Sequence, residues 1–189
     1  MCQAIIFDLG GVLLTWNPEH YVSETLGGIS KGDYLAQTLF RSSDWAELDR
    51  GSYSVAELQA RYLKRFPDFK KEIKLLFTHW FDLFQPISKN IALIPQLKKK
   101  GYSLYILSNF VKEAIDFVQE KYDFFQFFDG KTISCYVHSI KPEPEIYQQL
   151  FQSYNLSFPS NCCQRVVWLQ RSLFLLLFTF VGYFLAIFS

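Results

Sequence analysis

The chain has 189 residues, half of them hydrophobic, with 19 Lys and Arg against 18 Asp and Glu for a formal net charge of +1. That length and apolar content suit one packed domain, or a core with a small inserted module, and exclude an intrinsically disordered chain. So even a charge balance leaves no basic footprint for nucleic acid and no field for acidic partners, so no nucleic acid is expected to bind.

Residues 3–7 read as a short buried strand that delivers Asp8 to its C-terminal end. Gly10 and Gly11 follow, and they let the backbone turn sharply and approach a ligand closely. In an open parallel sheet that edge is where ligands bind. A carboxylate there can act as a nucleophile, a metal ligand, or both.

From Asn17 to about residue 85 the pattern is helical. Asn17 is placed to cap a helix with Pro18 in its first turn. Ser54-Val55-Ala56-Glu57 fits a capping box ahead of Leu58, Tyr62 and Leu63. Between Phe69 and Phe84, the residues Ile73, Leu76, Phe77, Trp80 and Phe81 recur at helical spacing. No strand pattern interrupts this stretch, so residues 16–85 are expected to form an all-helical insert.

Strand and helix then alternate. Residues 88–100 read as helix, kinked or effectively begun at Pro95, and Lys98-Lys99-Lys100-Gly101 ends it. Tyr102–Leu107 is a strand with Ser108-Asn109 at its end, Val111–Tyr122 a helix, and Thr132–Tyr136 a short third strand. Lys141-Pro142-Glu143-Pro144 opens a helix running to about Tyr154. This alternation predicts an α/β fold: a Rossmann-like parallel sheet core, residues 1–15 and 86–171, interrupted by the helical insert.

The end of the chain changes character. No acidic residue follows Glu145 and no charge follows Arg171. Residues 172–189 form an apolar tail of 18 residues, at the lower limit for crossing a bilayer. Two readings stand for it. As a membrane tether, it would have Arg165 and Arg171 on its cytoplasmic side; as a soluble segment, Val166–Leu169 would be a strand and the remainder a helix on the sheet. The four cysteines, Cys2, Cys135, Cys162 and Cys163, show no metal-site spacing. With no secretory signal at the start, reduced thiols and a cytoplasmic location are expected, membrane tethering through 172–189 being the alternative. His20, His79 and His138 share no spacing and are read as packing or surface residues.

Asp8 with its glycine turn, Ser108-Asn109 and Lys141-Pro142 therefore all fall at strand ends or helix starts. A carboxylate, a hydroxyl and an ammonium converging on one sheet edge suit phosphoryl transfer. The carboxylate attacks phosphorus, the hydroxyl and nearby amides hold phosphoryl oxygens, and the lysine offsets negative charge.

The sequence resembles the haloacid dehalogenase-like hydrolases over residues 3 to about 161. The matching stretches are Phe7-Asp8-Leu9-Gly10-Gly11-Val12-Leu13, Ile106-Leu107-Ser108-Asn109 and Ile140-Lys141-Pro142-Glu143-Pro144-Glu145-Ile146-Tyr147, in the family's order and with a helical cap after the first strand. The likeness is greatest to the helical-cap branch that includes sugar-phosphate phosphatases such as glucose-1-phosphate phosphatases. The resemblance implies hydrolysis of a small phosphorylated metabolite, with Asp8 as the nucleophile that becomes an aspartyl phosphate. It implies magnesium held by Asp8 and the Gly10 carbonyl. Ser108, with Asn109 and Gly11 beside it, would bind the phosphoryl group, and Lys141 would steady both partners. The cap, carrying Arg41, Trp45, Glu47 and Asp49, would close over the substrate.

Two departures from the family pattern follow. The general acid and base two residues after the nucleophile is replaced by Gly10, removing a contribution on the order of 10²–10⁴ in rate unless water or the cap supplies it. The acidic pair that binds magnesium falls in the region Cys162–Arg171, which holds no acid, so a weak or absent magnesium site is expected. The end from about residue 162 accordingly reads as that of a truncated or frame-altered copy. Phosphatase chemistry is thus the leading expectation. Hydrolytic dehalogenation of a 2-haloacid, which needs neither the metal nor the second Asp, is one alternative; a non-catalytic or tail-anchored binding protein is the other.

Overall fold

A computed structural model describes residues 4–28, 32–156 and, as backbone, 166–169. In chain order the elements are β1 (Ala4–Phe7), α1 (Pro18–Thr25), α2 (Gly32–Leu35), α3 (Ser43–Asp49), α4 (Val55–Arg65), α5 (Lys70–His79), α6 (Ser88–Ile91), α7 (Ile94–Lys99), β2 (Ser103–Ser108), α8 (Lys112–Lys121), β3 (Gly130–Ile133), α9 (Ser134–Val137), α10 (Pro144–Ser153) and β4 (Val166–Leu169). A π-helical turn, Ala36–Phe40, extends α2.

The strands form one parallel sheet in the order β3-β2-β1-β4. The β1 and β2 side chains alternate between two apolar layers. Ile5, Phe7, Leu104 and Ile106 face the larger core, while Ala4, Ile6, Tyr105 and Leu107 pack under Ile146 and Leu150 of α10. Coverage of both faces explains why β1 is apolar at every position rather than alternating.

Everything described between β1 and β2 is helix or loop, as the sequence pattern predicts. Asn17 caps α1 by accepting the His20 N–H, and Ser54 with Glu57 closes a complete capping box on α4. The insert does not have a core of its own. Its Leu39, Trp45, Leu58, Tyr62 and Trp80 belong to the same buried cluster as the β1 and β2 residues. Burying an aromatic side chain of this kind contributes about 1.5–3 kcal/mol, so the shared cluster fixes the insert against the sheet.

Two elements differ from expectation and one open alternative is resolved. The long helix read over Phe69–Phe84 divides into α5 and flanking 3₁₀ turns at Pro67–Phe69 and Trp80–Leu83. Residues 88–100 form α6 and α7, with Pro95 in the first turn of α7 as its effective start. The third strand is Gly130–Ile133, not Thr132–Tyr136; Ser134–Val137 turns into helix α9 instead. Ser134 sets that change of direction, because its hydroxyl accepts the Phe110 N–H at 2.9 Å and donates to the Asp49 carbonyl at 2.5 Å. An extended chain through Ser134 would forfeit both bonds.

The Val166–Leu169 stretch is the strand β4, paired to β1. The readings placed on Cys162-Cys163, Arg165, Arg171 and the 172–189 tail lie outside the described residues. Among the described residues, no helix is long and apolar enough to cross a membrane.

Candidate active site

β1 ends at Phe7, so Asp8 is the first residue beyond the sheet, where the chain turns. Its Oδ1 accepts hydrogen bonds from its neighbour's backbone, Leu9 N–H, at 2.8 Å and from the Ser108 hydroxyl at 2.8 Å. Its Oδ2 meets Lys141 Nζ at 2.7 Å in a largely buried ion pair. Lys141 Nζ also donates to the Leu107 carbonyl at 3.3 Å. Carboxylate, hydroxyl and ammonium therefore converge at one sheet edge, from the ends of β1 and β2 and from the segment that starts α10.

Asn109 and Gly11 behave differently from what the resemblance implies. The Asn109 side chain clamps the Lys141 backbone at both ends, accepting its N–H at 2.7 Å and donating to its carbonyl at 3.1 Å. It lines the pocket but spends its amide on positioning the lysine. Gly11 N–H donates to the Leu14 carbonyl at 2.6 Å inside the turn, and Gly11 does not line the pocket. Ser108 is buried and bonded to Asp8, so its hydroxyl orients the carboxylate. Gly10 does line the pocket, beside Asp8.

A second carboxyl faces this cluster. Asp49 is the last residue of α3 in the insert, and it lines the same pocket as Asp8 and Lys141. Among the described residues nothing donates a hydrogen bond to its side chain. Burial pushes its acid up to about 8, with Asp8 adding to the shift and Lys141 opposing it. Sequence reading placed Asp49 in the cap without a role.

The segment after Asp49 is tied to the core. The Arg50 guanidinium forks onto Glu143 at 2.6 and 2.7 Å, two residues beyond Lys141, and also bonds Glu47 at 3.2 Å. Arg50, then the Ile140 N–H and the Ser139 hydroxyl, hold the Glu143 carboxyl down at about 2. Gly51 has a φ of +79°, and a Cβ there would stand 2.7 Å from the Cys135 carbonyl oxygen. Only glycine satisfies both the backbone angle and the close approach.

The pocket between sheet edge and insert has a volume of about 350 Å³. Asp8, Lys141 and Asp49 line it together with Trp16, Phe40, Trp45, Phe84 and Phe110.

Magnesium prefers near-octahedral oxygen ligation through carboxylates, waters and substrate phosphate. Here both Asp8 oxygens are engaged by Ser108, Leu9 and Lys141, and the ammonium at 2.7 Å already neutralises the carboxylate. Among the described residues no group of three or more His, Cys, Asp or Glu could hold a metal ion. β4 ends level with Phe7, and Gln170 and Arg171 follow it in sequence. The described residues therefore do not fit a magnesium site.

A parallel α/β core with a carboxylate at the end of its first strand and helices between β1 and β2 is a Rossmann-like α/β architecture. The sequence model of the haloacid dehalogenase-like hydrolases matches residues 2–163, and the chain belongs to that family of hydrolases. A sesquiterpene phosphatase of Aspergillus oryzae, astK, is 24% identical over 155 residues, covering 82% of this chain and 76% of the relative. Among solved structures, a HAD-family enzyme of Bacteroides thetaiotaomicron in complex with magnesium and inorganic phosphate aligns with a TM-score of 0.63 at 20% identity, over 82% of this chain and 80% of that one. The L-2-haloacid dehalogenase of Xanthobacter autotrophicus with chloropropionic acid covalently bound aligns with a TM-score of 0.57 at 14% identity, over 89% and 69%. At these identities the solved structures speak to the fold.

Proposed function

We propose that the protein is a phosphatase that hydrolyses a small phosphate monoester through an aspartyl phosphate on Asp8. The observation that carries this reading is the Asp8 carboxylate, oriented by Ser108 and Leu9 N–H and paired with Lys141 at the floor of a pocket that also holds Asp49. The phosphatase relative adds support.

In the first step an Asp8 oxygen forms a bond to phosphorus and the ester P–O bond breaks. The Lys141 ammonium offsets charge on both the nucleophile and the phosphoryl oxygens. The leaving alkoxide takes the proton of the Asp49 carboxyl, which a raised pKa of about 8 keeps protonated at neutral pH. In the second step water attacks the phosphorus of the aspartyl phosphate, its proton passes to the Asp49 carboxylate, and the bond to Asp8 breaks. Inorganic phosphate leaves and both carboxyl groups return to their starting states. Asp49 thus takes the acid and base role that the family sequence pattern assigns to the position of Gly10.

Hydrolytic dehalogenation is the second reading, favoured by the poor fit to magnesium, since carbon–halogen displacement by Asp8 needs no metal. One assay series separates the readings. Phosphate release from p-nitrophenyl phosphate, with magnesium and with EDTA, is compared with halide release from 2-chloropropionate, using the wild-type chain and Asp8→Asn. Phosphate release that Asp8→Asn abolishes, with a phosphorylated Asp8 peptide trapped by acid quench and mass spectrometry, is the expected result. Halide release lost in Asp8→Asn moves the assignment to dehalogenase. Equal background rates in both chains, on all substrates, support a non-catalytic protein.

A further inference from the structure

We propose that the substrate is the monophosphate ester of an apolar alcohol, an unsubstituted alkyl chain rather than a sugar, with its hydrocarbon seated against the aromatic wall of the pocket. This rests on the phosphatase reading and specifies the leaving group.

The hydrogen-bond acceptors of the pocket decide the matter, because nearly all those on its described side chains are already engaged, while Arg41 keeps N–H groups that Glu19 does not take. Asn109 uses its carbonyl and amide on the Lys141 backbone. Ser42 accepts the Trp45 N–H at 3.2 Å and shares a 2.8 Å hydrogen bond with the Tyr62 hydroxyl. Arg41 lays Nε and Nη2 on the two Glu19 carboxylate oxygens at 3.0 Å each. Asp8, Lys141 and Asp49 lie together at the phosphoryl end. A sugar bound here would bury several hydroxyls and find, among the described residues, no uncommitted side-chain acceptor beyond Asp49 to take their protons, and unpaired buried hydroxyls weaken binding.

The surface beside these groups carries five aromatic side chains. Trp16 stacks on Phe84 with ring centroids 5.8 Å apart and tilts against Trp45 at 5.6 Å, while Phe40 meets Trp45 at 4.9 Å. Phe110 continues the wall beyond Phe84 at 4.9 Å. Rings packed on one another in this way are held in place before any ligand arrives, so little ordering cost falls on binding. An aromatic platform alone would stack a sugar ring as well; the shortage of uncommitted acceptors for hydroxyl protons is what selects the apolar ester. At ~30 Å³ for each water-sized group, a pocket of about 350 Å³ takes roughly a dozen of them, enough for a phosphate and a chain of medium length.

The test compares kcat/KM of the full chain for n-octyl phosphate, glucose 1-phosphate and glycerol 3-phosphate, with p-nitrophenyl phosphate as the general phosphatase control. An advantage of about 10² or more for the octyl ester over both polyol esters is expected. A second measurement is independent of turnover: binding of n-octylphosphonate against methylphosphonate, followed through Trp16 and Trp45 fluorescence. The octyl compound should bind at least about tenfold more tightly and shift the emission to the blue. Polyol esters turned over as well as the octyl ester, together with equal binding of the two phosphonates, overturn this inference and leave the phosphatase reading intact. Tight octylphosphonate binding with no hydrolysis of any ester keeps the apolar pocket and removes the phosphatase reading.

Discussion

At the sheet edge, Asp8 accepts two hydrogen bonds and pairs with Lys141; across the same pocket, in the helical insert, the Asp49 carboxyl has no donor among the described residues. The first environment surrounds its carboxyl group with two donors and an ammonium, whereas burial at the second favours a neutral acid. One pocket thereby holds the two forms that a displacement on phosphorus uses, an anionic nucleophile and a proton donor. The regions also differ in how they achieve this. The edge positions its groups through short bonds at the ends of β1 and β2. The insert positions Asp49 through tertiary ties on the residues around it: Ser134 on the Asp49 carbonyl, Glu143 on Arg50, and Cys135 against Gly51.

The largest expected effect breaks the edge. Asp8→Asn keeps the shape and removes the nucleophile, and phosphate release should fall by a factor on the order of 10⁴ or more. Lys141→Met should cost about 10²–10³ in kcat through lost charge stabilisation. It also strands the Asp8 carboxylate in a largely buried site, so a loss of about 3 kcal/mol in urea unfolding accompanies it. Retained activity in Lys141→Met removes the ion pair from the mechanism.

Asp49→Asn sharpens the contrast, because rate and stability should move in opposite directions. Loss of the proton donor lowers kcat about 10²–10⁴-fold for an alkyl ester, whose leaving group needs protonation, and far less for p-nitrophenyl phosphate. In the wild-type chain the folded state holds the Asp49 proton up to about pH 8, whereas the unfolded chain releases it near 4. Stability contributed by this group is therefore highest below pH 4 and falls as pH rises from about 4 to about 8. Asn carries no such penalty. Allowing for the water that the pocket admits, the variant should be more stable at pH 8 by about 1–2 kcal/mol, and the gain should vanish near pH 4. Equal loss on alkyl and p-nitrophenyl esters assigns Asp49 a structural role.

Arg50→Ala weakens the tie between insert and core while leaving the edge intact. KM should rise about three- to tenfold with a smaller change in kcat, as expected when the residues around Asp49 are held less firmly over the pocket. The partner carboxyl gives the pH signature. Glu143 is held down at about 2 against an ordinary value of 4.5, so its contribution is complete above about pH 4.5 and disappears as pH falls toward 2. Wild-type and Arg50→Ala melting temperatures should therefore converge in acid and diverge above pH 5.

The edge was legible in the sequence and the insert's contribution was not, for a physical reason. Asp8, Ser108 and Lys141 each follow an apolar run or precede a Pro-started helix, and parallel α/β topology brings such positions to one side of a sheet. Local pattern therefore carried the three groups that the structure assembles. Asp49 sits at the end of a short helix beside Trp45 and Glu47, where a carboxylate normally marks the wet face. Its place depends on Ser134 and Glu143, more than eighty residues away in the chain. The one local signal was Gly51 directly after Asp49-Arg50, a helix stop of the kind that demands a left-handed residue. The same long-range bond of Ser134 defeated the reading of the third strand, since nothing near Thr132–Tyr136 announces that Ser134 is held by Phe110 and Asp49. For Asn109 and Gly11 the structure adds what a motif does not say, namely which of their polar atoms are engaged within the chain.

The smallest effect isolates the fit between the two regions. Gly51 and Gly101 both have left-handed backbone, with φ of +79° and +84°. A Cβ on Gly101 meets nothing within 4 Å, whereas one on Gly51 stands 2.7 Å from the Cys135 carbonyl oxygen and 3.2 Å from its Cα. Gly101→Ala therefore measures the backbone strain alone, about 1–2 kcal/mol. Gly51→Ala adds a clash with backbone, which cannot swing aside as a side chain would. The extra cost is expected to be about 1 kcal/mol, and it should come with a higher KM, because relief of the clash lifts Asp49 away from Ser134 and from the pocket. If the two alanine variants lose the same stability and keep the same KM, the insert yields at Gly51 without moving Asp49, and the close contact with Cys135 has no part in holding the acid over the nucleophile.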